Sequence, residues 1–398
     1  MKLLYLVDYW PSLFITDLFR EIQWVRQRGH CVIVVSLGKH GPKGFESETR
    51  GHVELARFGV DDVPVLQLDA RNTGRGEIIG EIAAFVHKHE AELAIATEAR
   101  LPGEVACDLH LDSGIPFIVR MRGGDTHSNP SPRLAEMLQY ATAVCPMSQF
   151  LADVLTGKRI LKKTPAGIPA KVSSAKLHLM TGSLASSFLA DQPIAQSDDT
   201  QVIGAIGRAV TLKRFPDIIH AVAGLAADFP GVRLKIIGGG ELLPELQELA
   251  AKVGIGDRFE ITGFHKWTEV IPLVRELHIY VQASELEAFP LSLLEAGFQG
   301  LPMVLSTVGS YEQTVAPGIN GYWFVPGDVA ALREQLRALL LAGAARREQM
   351  GKETLKIMKQ FTEETILPQI EAIFHDAISL GSGMELSAIS QRVSGQAP

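Results

Sequence analysis

No run of about 18 apolar residues, the length that spans a bilayer as a helix, occurs anywhere in this 398-residue sequence. There is also no basic block, and the formal net charge is −7. The charge footprint of a nucleic-acid binder is therefore missing, and no nucleic-acid partner is expected. Cysteine is scarce: Cys31, Cys107 and Cys145 make an odd number with no metal-like spacing. Each lies in or beside an apolar run, so all three read as buried free thiols in a reducing compartment. The opening "MKLLYLVDYW" has too short an apolar region for a signal peptide and lacks a small-residue cleavage site. These absences point to a soluble, cytoplasmic chain. Low-complexity tracts and internal repeats are absent as well.

What is present is enough apolar material, 46% of residues against 21% charged, to build two cores in a chain too long for one. Short apolar runs alternate with helical patterns, the signature of parallel sheets made of βαβ units. The first series of strands is expected at 3–7, 31–37, 64–68, 93–97, 116–121 and 142–148. A second series is expected at 201–208, 233–240, 259–264, 278–284, 302–307 and 321–325. Between the first two strands, Leu18, Ile22 and Val25 follow helical spacing and Gly29 stands where a helix-ending glycine belongs. The fold class is therefore α/β, two doubly wound Rossmann-like domains facing across a cleft. The boundaries are 1–170, a linker over 171–198 in which Leu177, Leu179 and Met180 pack in part, and 199–360. An amphipathic helix with Ile366, Ile370 and Ile373 at helical spacing follows over 361–380, then a frayed tail over 381–398.

The stretch "SELEAFPLSLLEAGFQGLP", 284–302, places Glu287 in the loop at the carboxyl end of a strand, where open α/β sheets bind ligands. Pro290 suits the first turn of a helix. With Leu291 as an early helical residue, Leu294 and Phe298 make a buried stripe, and Glu295, at i+4, points into it. A bare carboxylate there costs several kcal/mol. Glu295 therefore pairs with a cation, reaches the stripe's edge, or accepts hydrogen bonds from ligand hydroxyls. The amides of Phe289 to Ser292 would then face an anion at the helix start. A glycosidase-like pairing of Glu287 with Glu295 is disfavoured. Carboxyls roughly 5–9 Å apart must flank the scissile bond, whereas these two share one loop–helix unit.

The pattern Ser-x-x-Glu-x-Phe-Pro-Leu-x-Leu-Leu-Glu-Ala, followed by Gly-x-Pro-x-Val, resembles the donor-site signature of the retaining glycosyltransferases of family 4, which have the GT-B fold. Three further segments agree in order and spacing: "GAIGRAVTLKRFPDIIHAV", "LKIIGGGEL" and "STVGSYEQTVAPGINGYWFVPGD". The resemblance covers essentially all of 201–345. Over 1–170 it is weaker, and similar to bacterial exopolysaccharide members in "PSLFITDLFREIQWVRQRGHCVIVVSL", "SGIPFIVRMRGGDTH", "SQFLADVL" and "TPAGI".

The resemblance implies a nucleotide diphosphate sugar as donor, bound by the second domain, and a glycan or lipid-linked acceptor on the side of the first. Configuration would be retained as the cleft closes around the substrates. Gly207, Arg208 and Lys213 would hold the diphosphate without a metal ion or other cofactor, and no Asp-x-Asp triplet occurs. Glu295 would bind ribose hydroxyls and Glu287 the hydroxyls of the transferred sugar. Amides around Ala288, Phe289, Pro290 and Leu291 would reach sugar and phosphate, with Ala288 where the family usually has glycine. Gly238 and Gly240 are either a wall of the donor site or simply a tight turn; without the rest of its fingerprint Gly-x-Gly is no sign of NAD. The final helix would return to the first domain.

The first domain departs from the family. Arg122 stands where a histidine is usual, and Asp125 is retained three residues on. Arg122 could contact a carboxylate or phosphate bidentately or pair with Asp125. His127 is close but misaligned as a substitute. "DYWPSLFIT" replaces the usual glycine-rich loop, so Trp10 or Phe14 either shapes an acceptor pocket or packs in the core. "KRILKK", 158–163, could touch anionic lipid head groups at the inner face of a membrane, or is a solvated helix end. The rival readings are a nucleotide-sugar epimerase of the same fold and a non-catalytic nucleotide-sugar-binding protein. Base, sugar, acceptor and oligomeric state are not legible.

Overall fold

The structure is a computed structural model that describes residues 1–8, 10, 16–38, 60, 62–70, 72–122, 130–159, 172–265 and 267–383. The chain divides into two compact units. The first is Met1–Met147 with Leu151–Met180 and Leu367–Pro398, and the second is Ser148–Phe150 with Thr181–Ile366.

In the first unit β1 (Lys2–Val7), β2 (Cys31–Ser36), β3 (Val65–Gln67), β4 (Leu93–Ala96), β5 (Phe117–Met121) and β6 (Ala143–Pro146) form one sheet, ordered β3-β2-β1-β4-β5-β6. Every pairing is parallel; β1 sets Leu4 against Ile33 of β2 and against Ala94 of β4. Parallel strands are covered on both faces, and their sequences are accordingly continuous apolar runs rather than alternating ones. Leu4, Leu6, Val35, Phe117 and Val119 are fully buried in this core. The helix Thr16–Gln27 buries Leu18, Ile22 and Val25 and ends at Gly29, whose φ of 84° is the left-handed conformation that closes a helix. The same helix contributes Glu21, which accepts hydrogen bonds from the Tyr5 hydroxyl of β1 (2.7 Å) and from Arg120 of β5 at 2.5 Å, all three buried.

The second unit repeats the plan with β7 (Gln201–Ile206), β8 (Val232–Ile237), β9 (Phe259–Ile261), β10 (Ile279–Gln282), β11 (Met303–Ser306) and β12 (Gly321–Phe324). Its order is β12-β11-β10-β7-β8-β9, again all parallel. Ile203, Ile236, Ile279 and Val304 lie in its core. In each sheet the third strand completes one edge and the chain then restarts on the other side of the first strand. That reversal lies between β1 and β4 in one unit and between β7 and β10 in the other. Open α/β sheets bind ligands at such a switch, beyond the carboxyl ends of the strands.

The segment before β7 is tied down by Arg347, a fully buried arginine that donates to Gln196, the Ser197 carbonyl and Asp198. Met180 is buried and Leu177 packs on the first core, whereas Leu179 is 39% exposed. The last described helix, Glu363–Gly383, buries Ile366, Ile370 and Ile373. Among the described residues no helix is long and apolar enough to cross a membrane. Cys107 and Cys145 are buried free thiols, pushed up by burial to about 11 and about 12. Cys31 is exposed, against the expectation from its apolar neighbours. It is the first residue of β2, at the amino-terminal end of the strand.

Candidate functional site

At the switch point of the second unit, β7 leads into a turn at Gly207 and Arg208, then a short 3-10 helix, Thr211–Lys213. Next to it, β10 leads into the loop carrying Ser284, Glu287 and Ala288, then the helix Leu291–Gly297. The two loops are joined directly. The Glu285 backbone N–H donates to the Leu212 carbonyl at 2.8 Å, and Lys213 Nζ donates to Glu287 Oε1 at 2.5 Å. Side-chain exposures of 22% and 13% make this a largely desolvated ion pair, and removing one partner of such a pair leaves the other charge uncompensated.

Glu287 is positioned from below. The Ser284 hydroxyl donates to the same Oε1 at 2.7 Å, and the Ser284 carbonyl accepts from the buried Ser306 hydroxyl at the end of β11, 2.8 Å away. Sequence reasoning missed both serines. Arg208 is exposed, and no described residue pairs with its guanidinium. Gly207 and Gly238 are where the loops after β7 and β8 meet backbone to backbone. A Cβ at Gly238, whose φ is 138°, would overlap the Gly207 carbonyl, and one at Gly207 would press on Lys213 Cε at 3.3 Å. Gly240, the expected second glycine of this wall, abuts the Ala209 backbone in the same way.

The helix after β10 differs from expectation by a rotation of its buried face. Leu293, Leu294, Ala296 and Phe298 are buried, whereas Leu291 and Glu295 are half-buried. Glu295 thus reaches the stripe's edge rather than its centre. Pro290 is the residue before the helix, extended at φ −74° and ψ 126°, not a member of its first turn. The Phe289 ring is buried against Phe361, with centroids 5.2 Å apart, so only its backbone is left for a ligand. No described backbone carbonyl accepts from the N–H of Ala288 or Phe289. Both carboxylates act on one buried phenol. Burial pushes Tyr280 well above its ordinary value, the Ser292 hydroxyl pulls it back, and the Glu287 and Glu295 charges add to the rise. Glu287, Glu295 and Lys213 are therefore brought to one place, with Arg208 on the adjoining turn.

In the first unit the corresponding switch point gathers four charged groups, of which sequence reasoning named only Arg122. Its Nε donates to the Thr97 carbonyl at the end of β4 at 3.1 Å. Glu98 and Arg100 follow β4, and Arg100 donates to Glu98 at 2.6 Å. Against the opposing pull of burial, a hydrogen bond with Asp8 and the cations Arg100 and Arg122 hold the Glu98 carboxyl below its ordinary range. Among the described residues Arg122 thus has Glu98, an acid from a different loop, as a neighbour. Asp125, His127 and Phe14 lie outside the described residues, as does most of 158–163. Trp10 is buried edge-to-face on Phe19, centroids 4.9 Å apart, which is the core packing of its two readings.

Comparison with known proteins agrees with this division. Residues 189–356 match the family model for glycosyl transferases group 1. The N-acetyl-alpha-D-glucosaminyl L-malate synthase of Bacillus anthracis is 26% identical over 182 residues, 46% of this chain and 47% of the relative. The lipopolysaccharide core biosynthesis glycosyltransferase LpsE of Rhizobium meliloti (strain 1021) is 29% identical over 170 residues, 42% of this chain and 48% of its own. The chain thus spans about half the length of the curated relatives it matches. In three dimensions the likeness is wider: the Anabaena Alr3699/HepE structure in complex with UDP superposes with a TM-score of 0.74 at 18% identity, covering 94% of this chain and 100% of that one. At that identity the likeness shows the fold, which is GT-B, with two Rossmann-like domains.

Proposed function

We propose that this chain is a retaining, metal-independent glycosyltransferase that moves a sugar from a nucleotide diphosphate sugar to a glycan or lipid-linked acceptor in bacterial polysaccharide or glycoconjugate synthesis. The observation that carries the reading is the Lys213–Glu287 pair at the β7/β10 switch point, beside Arg208, which pairs with no described residue. A cation and a hydroxyl-accepting carboxylate side by side fit the junction between a diphosphate and a sugar. The matching family model over 189–356 supports the same assignment.

On this reading Arg208 and Lys213 hold the diphosphate by charge-assisted hydrogen bonds. Their stabilisation grows as negative charge develops on the leaving phosphate, where losing one donor costs about 3–4 kcal/mol of barrier. Glu287, steadied by Ser284, accepts hydrogen bonds from the sugar hydroxyls, and Glu295 does so from the ribose. The acceptor oxygen bonds to the anomeric carbon on the face the phosphate leaves. The departing phosphate oxygen takes the acceptor's proton, which preserves configuration. The Asp8–Glu98–Arg100–Arg122 cluster of the first unit serves the acceptor side, where Arg122 replaces the usual histidine. The chain acts from the cytoplasm, with any membrane contact peripheral.

The first test is a thermal-shift panel of UDP, GDP, ADP and their sugar conjugates, since a ligand of the folded state raises the melting temperature with occupancy. One base series should shift it and the others not. A flat panel would remove the donor site. NMR of the glycoside formed from the selected donor then decides the rest. An inverted anomer refutes retention, donor isomerisation without acceptor indicates an epimerase, and binding without turnover indicates a non-catalytic protein.

A further inference from the structure

Outside the proposed donor site, chemistry-bearing side chains gather at the amino-terminal end of the first sheet, where β2 begins. Three side chains from two distant parts of the chain meet there: His30 ahead of β2, and Glu371 and His375 on the last helix. One nitrogen or oxygen from each lies within 4.8 Å of the other two, the single such group of His, Cys, Asp and Glu among the described residues. We propose that His30, Glu371 and His375 form a binding site for a zinc-class divalent cation, which clips the last helix to the start of β2.

Glu371 and His375 are at i and i+4, so they rise from one face of the helix one turn apart. His30 is set by the turn at Gly29, and its backbone N–H donates to the Val25 carbonyl at 3.2 Å. Its ring Nδ1 lies 3.2 Å from the Met1 nitrogen, which leaves Nε2 aimed at Glu371 Oε1, 2.6 Å away. Glu371 is buried and His30 half-buried, while His375 is exposed, its ring edge-on to that of His30 with centroids 6.0 Å apart. The outer partner of the carboxylate is already in place, because Arg28 Nε is 2.9 Å from Oε1 and 2.8 Å from Oε2. A metal on Oε1 leaves Arg28 holding Oε2, as second-layer partners of ligating carboxylates do. Two imidazoles and one carboxylate select zinc and its neighbours over magnesium or calcium, which prefer all-oxygen sites. His375 opens the cluster to solvent, and a cavity of about 930 Å³, lined by Lys2, Cys31 and Asp62, reaches His30 from the other side. Because the helix joins the first unit from Leu367 onward, the clip lies wholly within that unit and is independent of the proposed transfer reaction.

The competing account is a metal-free ion-pair cluster of Arg28, Glu371 and His30, and one set of measurements separates the two. The full chain, stripped with EDTA and then freed of it, is titrated calorimetrically with ZnCl2 and separately with MgCl2. One zinc per chain and no magnesium is the expected result, with a rise in melting temperature of roughly 5 °C at a hundredfold excess over Kd. His375→Ala, at an exposed position that leaves the fold intact, weakens zinc binding at least about tenfold, and His30→Gln does the same. Cobalt substituted for zinc gives visible d–d bands that His375→Ala abolishes. Failure to bind zinc stoichiometrically, or binding that neither substitution weakens, overturns the site in favour of the ion-pair cluster.

Discussion

Lys213 Nζ and Glu287 Oε1, 2.5 Å apart, neutralise each other across the ends of two neighbouring strands, so each holds the other in the place a ligand would use. The pairing makes their substitutions unequal. On the proposed reading, Glu287→Ala removes a contact to the transferring sugar and should slow turnover by about a hundredfold or more, as losses of about 3 kcal/mol do. Nucleotide affinity should stay within a few-fold. Steady-state kinetics beside nucleotide titration checks it, and a variant with normal turnover removes Glu287 from the reaction.

Arg208 has no protein partner to lose among the described residues, so its replacement reads out the ligand alone. Arg208→Ala should cost about tenfold or more in affinity for the nucleoside diphosphate, the equivalent of about 1.5–3 kcal/mol. Affinity for the free nucleoside should barely change, whereas Glu295→Ala should weaken both. Calorimetry with both ligands decides; equal losses on Arg208→Ala would mean a distorted fold.

Because the proposed diphosphate contacts are cationic side chains, excess EDTA should leave the initial transfer rate unchanged well below the melting temperature. A loss restored by Mg2+ or Mn2+ would contradict that chemistry.

The buried trio Tyr5, Glu21 and Arg120 should dominate the stability of the first unit. Glu21→Gln removes the buried carboxylate that faces the Arg120 guanidinium, and losses of about 3–5 kcal/mol are usual when one partner of a buried pair is removed. Urea unfolding followed separately for each unit measures the loss. A change under about 1 kcal/mol would mean that water or another acid compensates the guanidinium.

Glu98 gives a pH dependence of definite sign. Its folded carboxyl lies below the ordinary 4.5, so its contribution is complete above that value. It is lost as the pH falls through the lower folded value. The stability gap between wild type and Glu98→Gln should therefore be full at neutral pH and close as the pH falls through the lowered folded value. A gap that widens in acid contradicts the assigned partners.

The fold was legible in the sequence because parallel strands, covered on both faces, are written as unbroken apolar runs. Ten of the twelve described strands fall within the expected segments, and Lys2–Val7 and Val232–Ile237 each begin one residue early. The residues of the candidate site were also legible, since Gly207, Arg208, Lys213, Glu287 and Glu295 sit in two short segments with fixed spacing. What could not be read was pairing across segments. Nothing in "SELEAF" says that Ser284 braces Glu287, or that Lys213 meets it. The Glu98 cluster was missed for the same reason, as its members follow β1, β4 and β5. Cys31 failed because a strand's apolar neighbours say nothing about which of its ends lies open.

The abutment of Gly238 on Gly207 carries a further consequence for the chain's history. The turn between β8 and its helix is shaped by an atom that is not there, so no compensating change elsewhere can admit a larger residue without separating two strands. Saturation mutagenesis scored by folded yield should find position 238 nearly monomorphic while Glu241, three residues on, tolerates most replacements. New donor preferences in descendants of this chain would have to arise around that fixed corner rather than through it.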